Sequence, residues 1–335
     1  MSKGRLAGLV LLSLLVAAAV ALGWGWNRFL VESLEFRESP IRFTVPVGAN
    51  VRSVAQALRE QGVDVHPTEL WLWYKWRGHD GKLKAGTYEL ARPMTIDALL
   101  EKLVRGDVLV VSIRFIEGWT FRQMREVIDA NPELEHETHG LDDAELMRRI
   151  GADEQRPEGL FFPDTYVFSP GTSDVEIYRR AYRALKRTLN EAWERRAVDL
   201  PYRSPYEALV LASIVEKETG LDEERSKVAA VFVNRLRRGM LLQSDPTTIY
   251  GLGERFDGNL RRRDLRADTE FNTYTRPGLP PTPIALPGRA SIEAVMNPAD
   301  IGALYFVSRG DGTSEFSSDL ASHNRAVSRY QRGGR

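Results

Sequence analysis

The chain has 335 residues, with 46 basic and 46 acidic side chains, five histidines and no cysteine. This length is enough for about two domains. A formal net charge of zero gives no support to a nucleic-acid partner. The absence of cysteine excludes a disulfide framework, a lipid-modified N-terminal cysteine and a thiol nucleophile. Because the histidines have no paired spacing such as HExxH, the sequence predicts no metal site and no cofactor.

An uncharged apolar stretch, Leu6 to Leu22, follows two basic residues at the start of the chain. Extended to Trp26 as a helix, it would be about 32 Å long, which is enough to cross a bilayer. The basic residues before it predict a cytoplasmic tail (residues 1–5) and a transmembrane anchor (residues 6–26), with the rest of the chain outside the cytoplasm. A cleaved signal peptide is the alternative, since residues 17–21 are small.

Residues 40–108 are predicted to form a small α/β module with the order strand, helix, helix, strand, followed by a helix from Ile96 to Arg105. Its opening, FTVPVGANVRSVAQALREQGV, is similar to the start of LysM modules, which bind glycans that contain N-acetylglucosamine. A small packing domain is the alternative. The cluster of Trp71, Trp73 and Trp76 could stack on sugars, although aromatic residues at this spacing are more often part of a core or an interface.

Residues 109–335 are predicted to form a mixed α/β domain. Within it, residues 131–154 are acidic and irregular, which is typical of a solvated surface insertion. The segment EGLFFPDTY, residues 158–166, is too short for a helix and carries Phe162 and Asp164. Such a loop either binds glycan or covers a core, and its composition leaves both alternatives open.

The best-marked helix of this domain is predicted from Ser204 to Thr219. Ser204 suits the N-cap, Glu207 can complete a capping box and Gly220 is a natural stop. The residues between them are apolar nearly all round the helix, so the helix is predicted to be buried.

Two carboxylates, Glu216 and Glu218, lie in the last turn of this apolar helix. Glu218 continues the stripe formed by residues 207, 211, 214 and 215, whereas Glu216 points about 160° away. A carboxyl group kept partly dry has a raised pKa and can act as a general acid. The alternative is that both acids are solvated where the helix frays, or paired with Lys217 or Arg225.

Two later loops carry polar side chains. The segment MLLQSDPTTIYGLG, residues 240–253, is predicted to be a polar loop that contains Gln243 and Tyr250. The segment from Phe271 to Gly288 has five prolines, which exclude a helix or a central strand. Three of its residues offer hydrogen bonds that suit sugar hydroxyls and amides: Asn272, Thr273 and Tyr274.

A histidine near the C-terminus, His323, is predicted to lie in a final helix from Leu320 to Arg329. A dyad of Glu218 with His323 is conceivable. A lone histidine in such a position is more often a structural hydrogen-bonding group.

Six segments occur in a fixed order: EGLFFPDTY, ASIVEKET, VFVNRLRRGMLLQSDPTTIYG, FNTYTRPGLPPTPIALPG, LYFV and ASHNRAV. Together they resemble the YceG-like family over essentially the whole chain, including the anchor and the LysM-like region. The resemblance implies an α+β fold whose catalytic domain has an active-site helix like that of lysozymes and lytic transglycosylases. In that family the second glutamate of the EKET motif is the catalytic acid, which is Glu218 here. The family usually has tyrosine at the head of the NTYT motif, where this chain has Phe271.

The resemblance further implies a single-pass inner-membrane enzyme that acts on nascent peptidoglycan and has penicillin-binding proteins and other synthetic enzymes as neighbours. One carboxylic acid, Glu218, would cleave the bond between N-acetylmuramic acid and N-acetylglucosamine and leave a 1,6-anhydro end. The residues expected to bind the sugars are the loop residues Gln243, Tyr250, Asn272, Thr273 and Tyr274, together with Phe162 and Asp164.

Two alternatives to a lytic transglycosylase remain open at this point. A lysozyme-like hydrolase would need a second carboxylate, for which Asp245 and Asp264 are the candidates. A membrane-anchored scaffold that binds peptidoglycan without cleaving it would not need Glu218 at all.

Overall fold

A computed structural model describes residues 3–79 and 81–332 of the chain, with side chains described from residue 8 to residue 331. Met1 and Ser2 of the predicted cytoplasmic tail lie outside the described residues. The protein is a mixed α+β protein, as predicted, and divides into two compact units. The first unit extends to Val111 and includes Val167–Pro170, and the second comprises Ser112–Tyr166 and the chain from Gly171 onward.

The first unit begins with helix α1, Lys3–Leu30. Its segment Gly8–Leu30 is long and apolar enough to cross a membrane, and no other helix in the described residues is. The apolar helix is therefore longer than the predicted anchor, because the helix continues past Trp26 until Phe29 enters the hydrophobic core of the unit.

The remainder of the first unit has the predicted order of strand, helix, helix, strand and helix. Asn50 caps the first of these helices by accepting hydrogen bonds from two backbone N–H groups, and Gly106 ends the last one at a positive φ of 74°. The strands pair antiparallel with Phe43 opposite Tyr88, and both side chains are buried. The elements are β1 (Ile41–Val45), α2 (Val51–Glu60), α3 (Pro67–Trp76), β2 (Gly86–Leu90) and α4 (Ile96–Arg105).

The second unit is mainly helical, and the later strands of the described chain form short two-stranded sheets. Strand β3 pairs with β5, β4 pairs in parallel with β6, and β7 pairs antiparallel with β8. Its first elements are β3 (Val111–Arg114), α5 (Phe121–Asp129), β4 (Leu134–Glu135), α6 (Asp143–Ile150), β5 (Thr165–Phe168), β6 (Thr172–Ser173) and α7 (Asp174–Glu194). The later ones are α8 (Pro205–Glu218), α9 (Asp222–Arg237), α10 (Asp245–Leu252), α11 (Arg289–Met296), β7 (Tyr305–Ser308), β8 (Ser314–Ser317) and α12 (Leu320–Val327).

Helix α8 lies at the centre of the second unit, where it packs against α7, α9, α10 and α11. Eight consecutive residues, Ala208–Val215, are buried, which confirms the prediction from their apolar composition. Ser213 is the polar exception among them. Its hydroxyl donates to the carbonyl of Val210 (2.7 Å) and accepts from the N–H of Ile284 (3.0 Å), so it ties α8 to the proline-rich segment.

Two predictions about irregular segments are wrong. Residues 131–154 contain β4 and α6 and contribute buried side chains, so they are not a solvated insertion. Buried Asp174 orders this region by accepting hydrogen bonds from the N–H groups of Glu137 and Thr138. Residues 240–253 contain α10, which Pro246 begins in its first turn. The segment 271–288 has neither helix nor strand, as predicted.

Candidate active site

The two ends of α8 are formed by its flanking side chains. Ser204 accepts a hydrogen bond from the N–H of Glu207 (3.2 Å), as predicted for the N-cap. The carboxylate of Glu207 accepts from the N–H of Arg203 (2.7 Å) and not from that of Ser204, so the capping box is displaced by one residue. The helix stops at Glu218 because Thr219 adopts an extended conformation, with φ of −144°, so Gly220 is not the residue that ends it.

Glu218 lies at the C-terminal end of this buried helix, where its carboxyl group is largely removed from water. Burial raises its pKa to about 7, and the nearby carboxylate of Asp245 adds to that rise. The hydroxyl of Ser244 donates a hydrogen bond of 2.5 Å to Oε1 of Glu218 and opposes the rise. Among the described residues, no lysine or arginine forms an ion pair with Glu218. This carboxyl group can therefore hold a proton near neutral pH and release it.

Glu216 has different partners. Its Oε2 accepts a hydrogen bond from the N–H of Gly288 (2.9 Å), and its Oε1 lies 3.8 Å from Nη2 of Arg225. The side chains of Glu216 and Arg225 are both only 7% exposed. Glu216 is therefore also largely kept from water, although it does not continue the apolar stripe, and among the described residues it is the acid of the two that forms an ion pair.

A cavity of about 670 Å³ opens beside Glu218. Besides Glu218, one part of its lining consists of Arg235, Gln243, Asp245 and Tyr274. The other part comes from the hairpin β7–β8 and from α12, including Tyr305, His323 and Asn324. The cavity is thus a groove in which a chain-like ligand would contact polar and aromatic side chains next to one protonatable acid.

Gln243 lines the cavity in a conformation that is unusual for a residue other than glycine, with φ of +52°. The carbonyl of Thr273 accepts its N–H (3.1 Å), and Nη1 of Arg235 donates to its Oε1 (3.3 Å). Arg235 is itself fixed, because its Nε donates to the carbonyl of Leu304 (2.7 Å) and its guanidinium lies 5.1 Å from the ring centre of Tyr305. Backbone strain held in this way is typical of functional positions.

Tyr274 lines the same cavity, and its hydroxyl donates to Oδ1 of Asp245 (2.6 Å). Thr273 and Asn272 are buried behind it. The hydroxyl of Thr273 accepts the N–H of Ser244 (3.0 Å). The amide of Asn272 donates to the carbonyls of Leu265 and Ala267 and accepts from Thr248 and from the N–H of Tyr274. Thr273 and Asn272 therefore connect the loops around Glu218 and lie outside the cavity lining, and their sugar contact stays a prediction.

The three remaining predicted binding residues lie outside the lining of this cavity. Tyr250 donates to Oε2 of Glu158 (3.1 Å) and packs edge-on against Phe271. Asp164 is exposed and accepts the N–H of Thr165. Phe162 is half-buried below Arg289. Leu160 and Phe161 beside it are buried, so this segment covers a core.

Sequence reasoning missed Ser244 and Arg235. A Ser-Asp-Pro sequence predicts an N-cap serine, and Ser244 does occupy that position before α10. Its side chain makes no capping hydrogen bond and donates to Glu218 instead. Arg235 belongs to a run of arginines in α9, and nothing in the sequence distinguishes it from its exposed neighbours.

His323 lines the cavity but makes no hydrogen bond with Glu218 in the described residues. Its ring stacks on that of Tyr305, with ring centres 5.1 Å apart, and its Nδ1 is buried. Burial and the charge of Arg235 lower its pKa. His323 is therefore a neutral ring in the cavity lining and does not form the conceivable dyad.

The fold and this site define an α+β protein with one protonatable acid at the end of a buried helix. The chain belongs to the YceG-like family, whose model matches residues 43–329. It is 29% identical over 326 residues to the endolytic murein transglycosylase of Bacillus subtilis, covering 91% of this chain and 89% of that protein. It is 26% identical over 320 residues to a protein of the same name from Streptococcus pneumoniae, covering 85% of this chain and 57% of that protein.

Among solved structures, the fold is similar to the crystal structure of a YceG-like protein from Listeria monocytogenes. The TM-score is 0.55 and the sequence identity is 27%, with 85% of this chain and 98% of that chain covered.

Proposed function

We propose that the protein is an endolytic peptidoglycan lytic transglycosylase that cleaves the bond between N-acetylmuramic acid and N-acetylglucosamine in nascent strands and so ends their polymerisation. The observation that carries this proposal is the environment of Glu218. Its carboxyl group is desolvated, lies at a groove, has a pKa raised to about 7 against the opposing charge of Arg235, and forms no ion pair with a lysine or arginine among the described residues. The names of the relatives from B. subtilis and S. pneumoniae support the same reaction class.

In the proposed reaction, protonated Glu218 first donates its proton to the glycosidic oxygen. The C1–O bond breaks, the N-acetylglucosamine part leaves as an alcohol, and positive charge develops at C1 of the muramic acid. The ionised Glu218 then accepts the proton of the C6 hydroxyl while O6 bonds to C1. The product is a 1,6-anhydro ring, no water is consumed, and Glu218 is protonated again.

This cycle needs a carboxyl group that can be either protonated or ionised near neutral pH. Burial favours the protonated form for the first step, and the hydroxyl of Ser244 stabilises the ionised form between the two steps. The nucleophile belongs to the substrate itself, which gives a large entropic advantage. We assign the contacts with sugar hydroxyl and N-acetyl groups to Gln243 and Tyr274, because both line the groove beside Glu218.

The proposed location is the inner membrane, with residues 1–5 in the cytoplasm, residues 6–26 as a single-pass anchor and the catalytic domain, 109–335, in the periplasm. The apolar helix Gly8–Leu30 supports the anchor. Peptidoglycan strands are the proposed substrate, and penicillin-binding proteins and other wall-synthesis enzymes are the proposed neighbours. Helix α8 takes the place of the lysozyme-like active-site helix.

Residues 40–108 keep the proposed LysM-like role. A cavity of about 620 Å³ in this unit supports it, since its lining includes the turn before α2 together with Trp71 and Tyr74. The guanidinium of Arg52 lies 4.3 Å from the ring centre of Trp71, which leaves an aromatic and polar surface that suits a sugar ring.

A lysozyme-like hydrolase is the second candidate function, because Asp245 lines the same cavity as Glu218. Asp264 is excluded from that role, since it accepts the N–H of Arg261 outside the cavity lining. The deciding experiment digests purified peptidoglycan with the full chain, with Glu218→Gln and with Asp245→Asn, and identifies the new ends by mass spectrometry.

A transglycosylase gives anhydro ends with the wild-type chain and with Asp245→Asn, and none with Glu218→Gln. Reducing ends that have gained a water and depend on Asp245 would establish the hydrolase. Binding without any new ends would establish the non-catalytic scaffold.

A further inference from the structure

Helix α1 is continuous with the core of the first unit. It runs without interruption from the apolar span to Leu30, and Phe29, in its last turn, is fully buried. The ring of Phe29 stacks on Trp73 of α3, with ring centres 4.2 Å apart and planes within 9°. The apolar span of α1 and the rest of the first unit are therefore packed against each other and are not joined by a flexible linker.

Ion pairs reinforce this packing. The guanidinium of Arg28 lies 3.2 Å from Asp64, 3.3 Å from Glu69 and 3.4 Å from Glu32. The side chain of Arg28 is only 20% exposed, so its charge is neutralised within the unit. The orientation of the first unit relative to the span is consequently fixed.

Beside this junction lies an exposed apolar surface formed by Trp26, Leu72 and Trp76. These side chains are 49%, 57% and 57% exposed. Leu72 and Trp76 are one helical turn apart on α3. The ring of Trp76 packs edge-on against that of Trp26, with ring centres 5.7 Å apart. Large apolar side chains that are exposed together mark an interaction surface.

The depth of this surface follows from helix geometry. Trp26 is 20 residues beyond Leu6, where the uncharged apolar stretch begins, so the two are about 30 Å apart along the helix axis. This length matches the hydrocarbon core of a bilayer, which places Trp26 at its far boundary. Tryptophan is the residue that favours this boundary, because its ring is apolar and its N–H can bond to water or headgroups.

We propose that the Trp26–Leu72–Trp76 surface is inserted into the headgroup layer of the bilayer at the end of the span where α1 enters the first unit. The first unit then contacts the membrane surface and stays at a fixed distance from the bilayer. The lipid bilayer is the occupant, because the surface is continuous with the apolar span through the contact of Trp76 with Trp26. This inference rests on the proposed anchor and is independent of the proposed catalysis.

The absence of cysteine from the chain makes a direct test possible. Single cysteines replace Leu72, Trp76, Val47 or Val16 in the full chain, which is labelled with an environment-sensitive fluorophore and reconstituted into phosphatidylethanolamine and phosphatidylglycerol vesicles. Lipids that carry a quencher either near the headgroup or at the chain end report the depth of each label. Val47 is 94% exposed in the turn before α2, and Val16 lies about 15 Å along the apolar stretch from Leu6.

We expect the labels at positions 72 and 76 to shift to shorter emission wavelengths and to be quenched most by the shallow quencher, several-fold more than the label at position 47. The label at position 16 should respond to the deep quencher. If labels at positions 72 and 76 are quenched no more than the label at position 47 while that at position 16 is quenched, the proposed insertion of this surface is wrong and the transmembrane anchor is still supported. A label at position 16 that reaches water would overturn both. Because Leu72→Cys removes no aromatic contact, it tests the proposal even if Trp76→Cys disturbs the packing.

Discussion

Glu216 and Glu218 lie two residues apart at the end of α8 and share no partner: Arg225 and the N–H of Gly288 hold Glu216, and the hydroxyl of Ser244 holds Glu218. Burial and the carboxylate of Asp245 raise the pKa of Glu218 to about 7, against the opposing hydroxyl of Ser244 and the charge of Arg235. This environment supports the proposal that Glu218 is the proton donor.

Replacing Glu218 by Gln should abolish catalysis without removing the fold. The glutamine Oε1 can still accept from Ser244, but the side chain has no proton to donate. General acid–base catalysis contributes about 10²–10⁴-fold, and Glu218 serves in both steps, so the rate of strand cleavage should fall by at least about 10²-fold. Counting anhydro ends released per minute from purified peptidoglycan measures this loss.

Glu216→Gln is the matched control at the end of the same helix. It removes one acidic partner of the buried Arg225 and leaves Asp222 and the nearby Glu117, so we expect a loss of stability of about 1–3 kcal/mol. Cleavage per folded molecule should stay near that of the wild-type chain. If Glu216→Gln lost the chemistry while Glu218→Gln retained it, the roles of the two acids would be reversed.

The pH dependence of cleavage should follow the protonation of Glu218. Its pKa of about 7 predicts that kcat/KM decreases as the pH rises through about 7, because the proton donor is lost. Ser244→Ala removes a hydrogen bond that stabilises the ionised form, so the decreasing limb should move to higher pH. Asp245→Asn removes a repulsive charge, so the same limb should move to lower pH.

Rate profiles of the three proteins on one peptidoglycan preparation would measure these shifts. Shifts in opposite directions for Ser244→Ala and Asp245→Asn are what we expect if Glu218 controls the decreasing limb. Two shifts of the same sign would mean that another group controls the limb.

The stability of the protein should also depend on Glu218. Its pKa is about 7 when folded, against an ordinary value of 4.5. Between these values the folded chain holds a proton that the unfolded chain has lost, so the free energy of unfolding decreases as the pH rises through this window. The full effect is on the order of 3 kcal/mol.

Glu218→Gln removes this penalty and should therefore unfold at a higher temperature than the wild-type chain at about pH 8, with the difference shrinking towards about pH 5. Thermal unfolding of the detergent-solubilised proteins at both pH values tests this. Glu158, whose pKa burial also raises to about 7, is present in both proteins and cancels from the difference. A wild-type chain that is the more stable one at high pH would contradict the burial argument.

Local signals were sufficient to predict much of the fold. Ser204 is the N-cap of α8, as its sequence position predicted, and the buried stretch of α8 follows from its apolar composition. The predictions that failed depend on packing between segments that are distant in the sequence. Helix α6 was missed because an acidic surface concealed its apolar face, which buries Leu146.

The site was predictable in part. The apolar stripe and the family resemblance both pointed to Glu218, whose role stays a prediction, and Gln243 and Tyr274 line the same cavity. The hydrogen bonds of Asn272 could not be predicted from sequence, because an amide that suits a sugar equally suits the backbone carbonyls that the fold brings near it. Which of these a polar side chain meets is decided by packing over long sequence distances.

Gly159 supports the candidate site from the segment that covers the core. It has a φ of +76°, and a Cβ built on it would lie 2.2 Å from Cβ of Pro283 in the proline-rich segment. Gly159→Ala should therefore cost about 1–2 kcal/mol for the left-handed backbone and about 1–3 kcal/mol more for the displaced proline. Gly140→Ala is the matched control, since Gly140 has a φ of +81° and nothing within 4 Å of its Cβ position, so only the backbone cost should appear.

Thermal unfolding of both variants would give the two costs. Cleavage of peptidoglycan should decrease in Gly159→Ala alone, because Pro283 precedes Ile284, whose N–H bonds to Ser213 in the middle of α8. Equal losses in the two variants would show that the close approach of Gly159 to Pro283 contributes nothing to holding α8 and its terminal acid.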